Sequence, residues 1–197
     1  LPEDYPIDQF RVGFEWSAPW RYRRLSEVLA DQDQHSMQDS ANLQRDYHSI
    51  FAREVLARLP ELGAVVPQGG PMLRDWNAVL GPNSAAAALW NVWYHRHLEP
   101  ALIGLIDESA DTKTSPSLDT LTALELLDTP EGKQRAYTTL PRAWSETQQL
   151  LGSKPQGWRW GNLHRTEFQH PLLNLVSEDV GKTLKTVSYT HLTLPTN

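Results

Sequence analysis

The chain has 197 residues, 24 acidic against 18 basic side chains for a formal charge of −6, eight tryptophans and no cysteine. That length can bury the core of one domain, or of a piece of one. The cysteine count excludes disulfides and thiolate metal sites, and the scattered Lys and Arg offer no basic stripe for a phosphate backbone, so nucleic acid is not an expected partner.

No apolar run approaches the roughly 20 residues of a membrane span, and no signal peptide opens the chain. The chain begins at Leu1 rather than Met, so the expectation is a processed or incomplete start, and the missing targeting segment carries no information on location.

Residues 1–20, "LPEDYPIDQFRVGFEWSAPW", are aromatic and proline-punctuated and read as an extended entry segment. "RRLSEVLADQ" is a short helix candidate. Ser36 and Asp39 in "HSMQD" form a capping-box signature opening a longer helix, in which Leu43, Tyr47, Ile50, Phe51, Val55 and Leu59 recur at helical spacing before Pro60. One face of it is expected to be buried, with Arg45, Asp46 and Arg53 in water. The loop "PELGAVVPQGGP" leads to a third helix, "MLRDWNAVL", stopped by Gly81 and Pro82.

Asn83 or Ser84 caps "AAAALWNVWYHRHLEPALIGLI", whose alanine run favours helix and close packing, and Pro100 predicts a kink or break near Glu99. The polar connector "DESADTKTSPS" precedes two more helices, "LDTLTALELL" and "EGKQRAYTTLPRAWSETQQLL", the second interrupted at Pro141 and closed by Gly152. "WRWGNLHRTEFQH" alternates as a strand does, with Trp158 and Trp160 on one face and a bulge at Gly161.

Three groups invite chemistry. "HRH" at His95–His97 resembles a zinc motif, but helical ligands sit one turn apart and i,i+2 residues diverge, so a solvated or capping role is expected. His164 and His170 flank Glu167; on a strand, residues three apart lie on opposite faces, which separates His164 from that carboxylate. "RYRR" sets Arg21, Arg23 and Arg24 beside Trp20, where stacking on aromatics and bidentate carboxylate binding are available. Positive charge at a helix start opposes the helix dipole, which argues mildly for a specific partner; a solvated helix start is the plainer alternative. There is no nucleophile elbow, P-loop or dinucleotide glycine pattern.

Taken in order, "LPEDYP", "EWSAPWRYRRLSEVL", "HSMQDSANLQRDYHSIFAREVLARL", "MLRDWNAVLGPNSAAAALWNVWYHRHL", "AWSETQQLLG" and "WRWGNLHRTEFQHPLL" resemble the C-terminal part of the β-chain of the penicillin acylase family. The resemblance spans nearly all of residues 1–185. It implies an α+β class: a mostly helical fragment of the four-layer αββα fold of N-terminal nucleophile hydrolases, with strands near the C-terminal end. Such enzymes are precursors that cut themselves into an α-chain and a β-chain. The serine that begins the β-chain attacks an amide carbonyl with its own α-amino group as base, and an asparagine and backbone N–H groups hold the oxyanion. By this resemblance those residues lie outside the chain, so no catalytic residue is assigned within it.

Two positions carry over. Arg21, five residues after Trp16, matches an arginine that stands beside the active site and supports substrate placement and maturation. Asp8 falls near a calcium-ligand aspartate, implying a structural Ca2+ held by hard oxygen donors. The spacing also allows Gln9 or Phe10 at that place, and neither supplies a carboxylate.

The partners implied are an N-acyl small-molecule substrate, the rest of the β-chain and the α-chain, with no nucleic acid, no membrane span and no organic cofactor. A periplasmic or secreted location and a link to antibiotic biosynthesis follow from the same resemblance. Residues 186–197, "TVSYTHLTLPTN", break abruptly from "SEDVGKTLK" and resemble a translated sequencing-library adapter, so they are expected to be foreign. Two other readings stand beside the acylase: a non-catalytic helical binding module and, last, a metal hydrolase using His95, His97 or His164.

Overall fold

A computed structural model describes residues 5, 6, 9, 17–106, 117–167, 188 and 189. Ten α-helices order the described residues: α1 Trp20–Ala30, α2 Met37–Gln44, α3 Ile50–Ala57, α4 Leu62–Val65, α5 Gly70–Arg74, α6 Ala85–Trp93, α7 Glu99–Ile106, α8 Thr120–Asp128, α9 Pro130–Leu151 and α10 Trp160–Leu163. A two-residue strand β1, Thr166–Glu167, pairs antiparallel with β2, Ser188–Tyr189, in the register Thr166 to Tyr189 and Glu167 to Ser188. The described residues are thus mostly helical, as expected.

The spine is α9, against which α6, α7, α8 and the turn at 94–98 pack. Its buried stripe, Ala136, Thr139, Leu140, Ala143 and Thr147, meets a core that holds Trp93, Leu89, Leu98, Leu102 and Leu127 fully shielded from water. The Trp93 indole N–H donates to Thr139 Oγ1 at 3.1 Å, so the largest core side chain has its polar atom satisfied. The helix continues through Pro141, where an interruption was expected; Pro141 removes one ladder bond, and buried residues lie on either side of it.

The capping box forms as its spacing predicts: Ser36 Oγ accepts from Asp39 N–H at 3.1 Å, and Asp39 Oδ2 accepts from Ser36 N–H at 2.8 Å. The single helix expected over 37–59 is instead two. Between them Tyr47 C=O accepts from Leu80 N–H, Ser49 N–H donates to Ala78 C=O, and His48 bridges Val79. The backbone at 45–49 therefore bonds to the 78–80 segment rather than to itself, and Ser49 caps a new helix through Ala52 N–H.

The same exchange ends the third helix early. Only Gly70–Arg74 is helical, and Ala78 adopts φ 58°, a left-handed conformation rare for a residue with a Cβ, to present 78–80 as the partner of 47–49. The loop expected before it contains α4, and Gly69, at φ 86°, turns the chain into α5.

Pro100 acts one turn ahead of itself. Ser84 caps α6 through Ala87 N–H, and the helix then widens into a π turn over Tyr94–Leu98, closed by Glu99 N–H on Tyr94 C=O, before α7 resumes. Five-residue spacing lets the chain pass the carbonyl that the proline ring would strike.

The strand expected over 158–170 shows the largest departure in its described part, 158–167; its remainder, with His170, lies outside the described residues. Trp160 N–H donates to Ser84 C=O and Gly161 N–H to Pro82 C=O, which draws 160–163 into a helical turn against the start of α6 and leaves β1 as the extended remnant. The two tryptophans do not share a face. Trp158 is fully buried against Trp144, with ring centres 4.8 Å apart, and its N–H reaches Gly152 C=O at 2.7 Å; Trp160 covers Ala87 and Ala88.

Candidate functional site at the start of α1

Helix α1 starts badly by local rules. Pro19 at its N-cap offers no side-chain acceptor, the first turn has no acid, and Arg21, Arg23 and Arg24 load it with positive charge. Tertiary contacts compensate. Trp20, 5% exposed, packs on Phe51 with ring centres 5.7 Å apart and donates its indole N–H to Thr120 Oγ1 at 2.8 Å. Arg24, on the same side one turn later, places Nη2 at 2.6 Å and Nε at 3.0 Å from Asp46 Oδ2.

Asp46 links this pair to the α2–α3 break, because its Oδ1 accepts from His48 N–H at 2.8 Å. Burial pushes its carboxyl up, but the Arg24 and His48 bonds outweigh burial and hold it below the ordinary range. Sequence reasoning left Asp46 in water; the signal it lacked was the helix break, which turns the residue inward. Burial lowers the neighbouring His48, reinforced by Arg24 and Arg53.

Three neighbouring arginines are matched. Arg23 lies 5.6 Å over the Trp20 ring and 3.9 Å from Glu54, Arg53 pairs with Glu27 at 2.5 Å, and Arg58 pairs with Glu54 at 3.0 Å and Asp128 at 3.1 Å. Arg21 differs. It is exposed, and among the described residues no carboxylate pairs with it. An arginine in that state, at the positive end of a helix, is fit to bind an external carboxylate or carbonyl. Asp8, the expected calcium ligand, lies outside the described residues.

A second concentration of polar groups sits on the π turn. His95 and His97 diverge, as i,i+2 residues should: His95 Nδ1 lies 3.4 Å from Glu99, whereas His97 Nε2 lies 2.6 Å from Glu146 Oε2, with Arg96 at 2.7 Å from Oε1. These bonds tie the turn to α9. Glu99 also accepts from Ser117 Oγ and Leu118 N–H at 3.0 Å each. The adjacent Tyr94 hydroxyl is buried with no hydrogen-bond partner among the described residues, and burial raises its pKa, reinforced by Glu99 and Asp119.

Among the described residues no group of three or more His, Asp or Glu could hold a metal ion, and no helix is long and apolar enough to cross a membrane. His164 stacks on Trp160, with ring centres 4.9 Å apart and planes 10° from parallel, in the i,i+4 relation of a helical turn. That aromatic contact comes from the local helix; the strand geometry used to separate His164 from Glu167 does not apply at 160–164.

Sequence comparison relates the chain to amide-hydrolysing enzymes. It belongs to the penicillin amidase family, whose model matches residues 1–194. No curated protein matches its sequence.

Proposed function

We propose that this chain is part of a penicillin acylase-type amidase that hydrolyses the amide of an N-acyl compound through an acyl-enzyme. Its fold is the αββα architecture of N-terminal nucleophile hydrolases, and its parent is a self-cleaving precursor. The serine nucleophile, its α-amino base and the oxyanion asparagine come from polypeptide outside this chain, and Arg21 places the substrate from the start of α1. Asp8 contributes to a structural calcium site. The parent works in the periplasm or outside the cell.

Family membership over residues 1–194 supports the reaction class. The exposed guanidinium of Arg21, unmatched among the described residues, is the observation that supports its role, because each other arginine of α1 already has a carboxylate.

The test is Arg21→Ala in the complete precursor, recovered by extending the gene upstream. Loss of a charged hydrogen bond to substrate should lower kcat/KM about 10- to 100-fold or block self-cleavage. Unchanged processing and kinetics would remove Arg21 from the site. An upstream sequence with neither a cleavable serine nor an asparagine would remove the acylase chemistry altogether.

A second reading, a helical binding module without activity, draws on one observation. Tyr22, Leu25 and Leu29 form an exposed apolar stripe on α1, at 60%, 43% and 50% accessibility. Specific turnover of an acylated chromogenic amide by the complete protein would eliminate it.

A further inference from the structure

We infer that Thr120 is a positioning residue for Arg21, acting across 100 positions of sequence through the indole of Trp20. The inference rests on the acylase reading of Arg21 and adds to it a residue on a different helix.

A helix is rigid over one turn, so fixing two side chains on one face fixes where the others point. On α1 the less exposed such anchors are Trp20 and Arg24, held by Thr120 and by Asp46, with the more exposed pairs of Arg23 with Glu54 and Glu27 with Arg53 adding ties to α3. Arg21 follows Trp20 by about 100° around the axis, toward the face that carries Leu25, Leu29 and Tyr22, all exposed. That outer face has nothing among the described residues to set the roll of the helix, so the inner contacts set it.

The two anchors are not equivalent. Arg24 holds the second turn, where the backbone ladder is already closed. Trp20 holds the first turn, where Pro19 supplies no side-chain cap, no acid faces the dipole, and three arginines oppose it. Arg23 N–H on Pro19 C=O, at 2.9 Å, is the bond that opens the ladder. The Trp20 to Thr120 hydrogen bond therefore governs whether the turn bearing Arg21 is formed or frayed. Thr120 is suited to the part, since it begins α8 and its hydroxyl is not used in capping; Asp119 accepts the Leu121 and Thr122 N–H groups.

The experiment compares Thr120→Val, which keeps the branched shape and removes the acceptor, with Thr120→Ser, which keeps the acceptor. Trp20→Phe removes the donor and keeps a ring against Phe51. Hydrogen exchange of the 197-residue chain reads the Arg23 and Arg24 amides, with α9 amides as internal reference. Val and Phe variants should exchange there about tenfold faster, as expected for losing one hydrogen bond, with α9 unchanged and the Ser variant near wild type.

In the complete enzyme Thr120→Val should raise KM in the manner of Arg21→Ala while leaving kcat nearer wild type, and Thr120→Ser should restore it. Unchanged exchange at 23 and 24, or equal acceleration in α9, overturns the inference. If Arg21→Ala impairs the enzyme while Thr120→Val is kinetically silent, the inference fails and the acylase role of Arg21 stands. If Arg21→Ala is itself silent, that role has failed, and the positioning of Arg21 for it falls too.

Discussion

Asp46 should be the most revealing single position for stability. It joins three pieces of chain: Arg24 of α1, the backbone of His48 in the α2–α3 break and, through that break, the 78–80 segment. Asp46→Asn keeps an acceptor for His48 N–H and removes the charge facing Arg24; Asp46→Ala removes both. The pair is half-buried, with Arg24 and Asp46 side chains 29% and 19% exposed, so its worth lies between a surface pair and a buried one.

We expect a loss of about 1 kcal/mol for Asp46→Asn and about 2 kcal/mol for Asp46→Ala, the difference being the orphaned His48 N–H. For a chain of this size the Ala variant should melt about 4 to 8 °C lower. Thermal and urea unfolding followed by circular dichroism measure both. The carboxyl sits below its ordinary pKa, so its contribution is present above the unfolded value near about 4 and is lost as pH falls through the lower folded value; the gap between wild type and Asp46→Asn should close over that range. If both variants lie within about 0.5 kcal/mol of wild type at neutral pH, the joint is not what separates α2 from α3.

Two further perturbations test the α9 side. Glu146→Gln weakens the bonds to Arg96 and His97 and should cost about 1 kcal/mol, reduced by partial exposure. Burial pushes this carboxyl up, but Arg96 and His97 outweigh burial and lower it, so a urea-midpoint difference present at neutral pH should fade on acidification below about pH 4; a constant difference would refute the charge assignment. Gly132→Ala would drive a Cβ into the Leu126 carbonyl where α8 turns into α9, and should cost about 3 kcal/mol in urea unfolding. A loss under about 1 kcal/mol would mean that the α8–α9 corner yields easily.

Local rules carried the reading wherever the determining atoms lie within four residues. The Ser36–Asp39 box, the Ser84 cap, the Gly152 stop and the divergence of His95 from His97 are all of that kind, and all appear in the structure. So is the buried stripe at Ile50, Phe51, Val55 and Leu59, since helical periodicity on one face is itself a statement about a core. The family was legible too, through ordered segments.

Misreadings cluster where backbone groups bond to distant chain. Tyr47 and Ser49 exchange hydrogen bonds with Leu80 and Ala78, and Trp160 and Gly161 donate to Ser84 and Pro82. Each exchange splits, shortens or replaces an element that periodicity alone would continue, because backbone donors need a partner and periodicity does not say which partner is nearest. Arg21 shows the division most clearly. Its residue type and neighbours could be read along the chain; its lack of a carboxylate among the described residues, beside Arg23, Arg24, Arg53 and Arg58 that each have one, depends on α1, α3 and α8 being brought together, with Thr120 of α8 holding the turn.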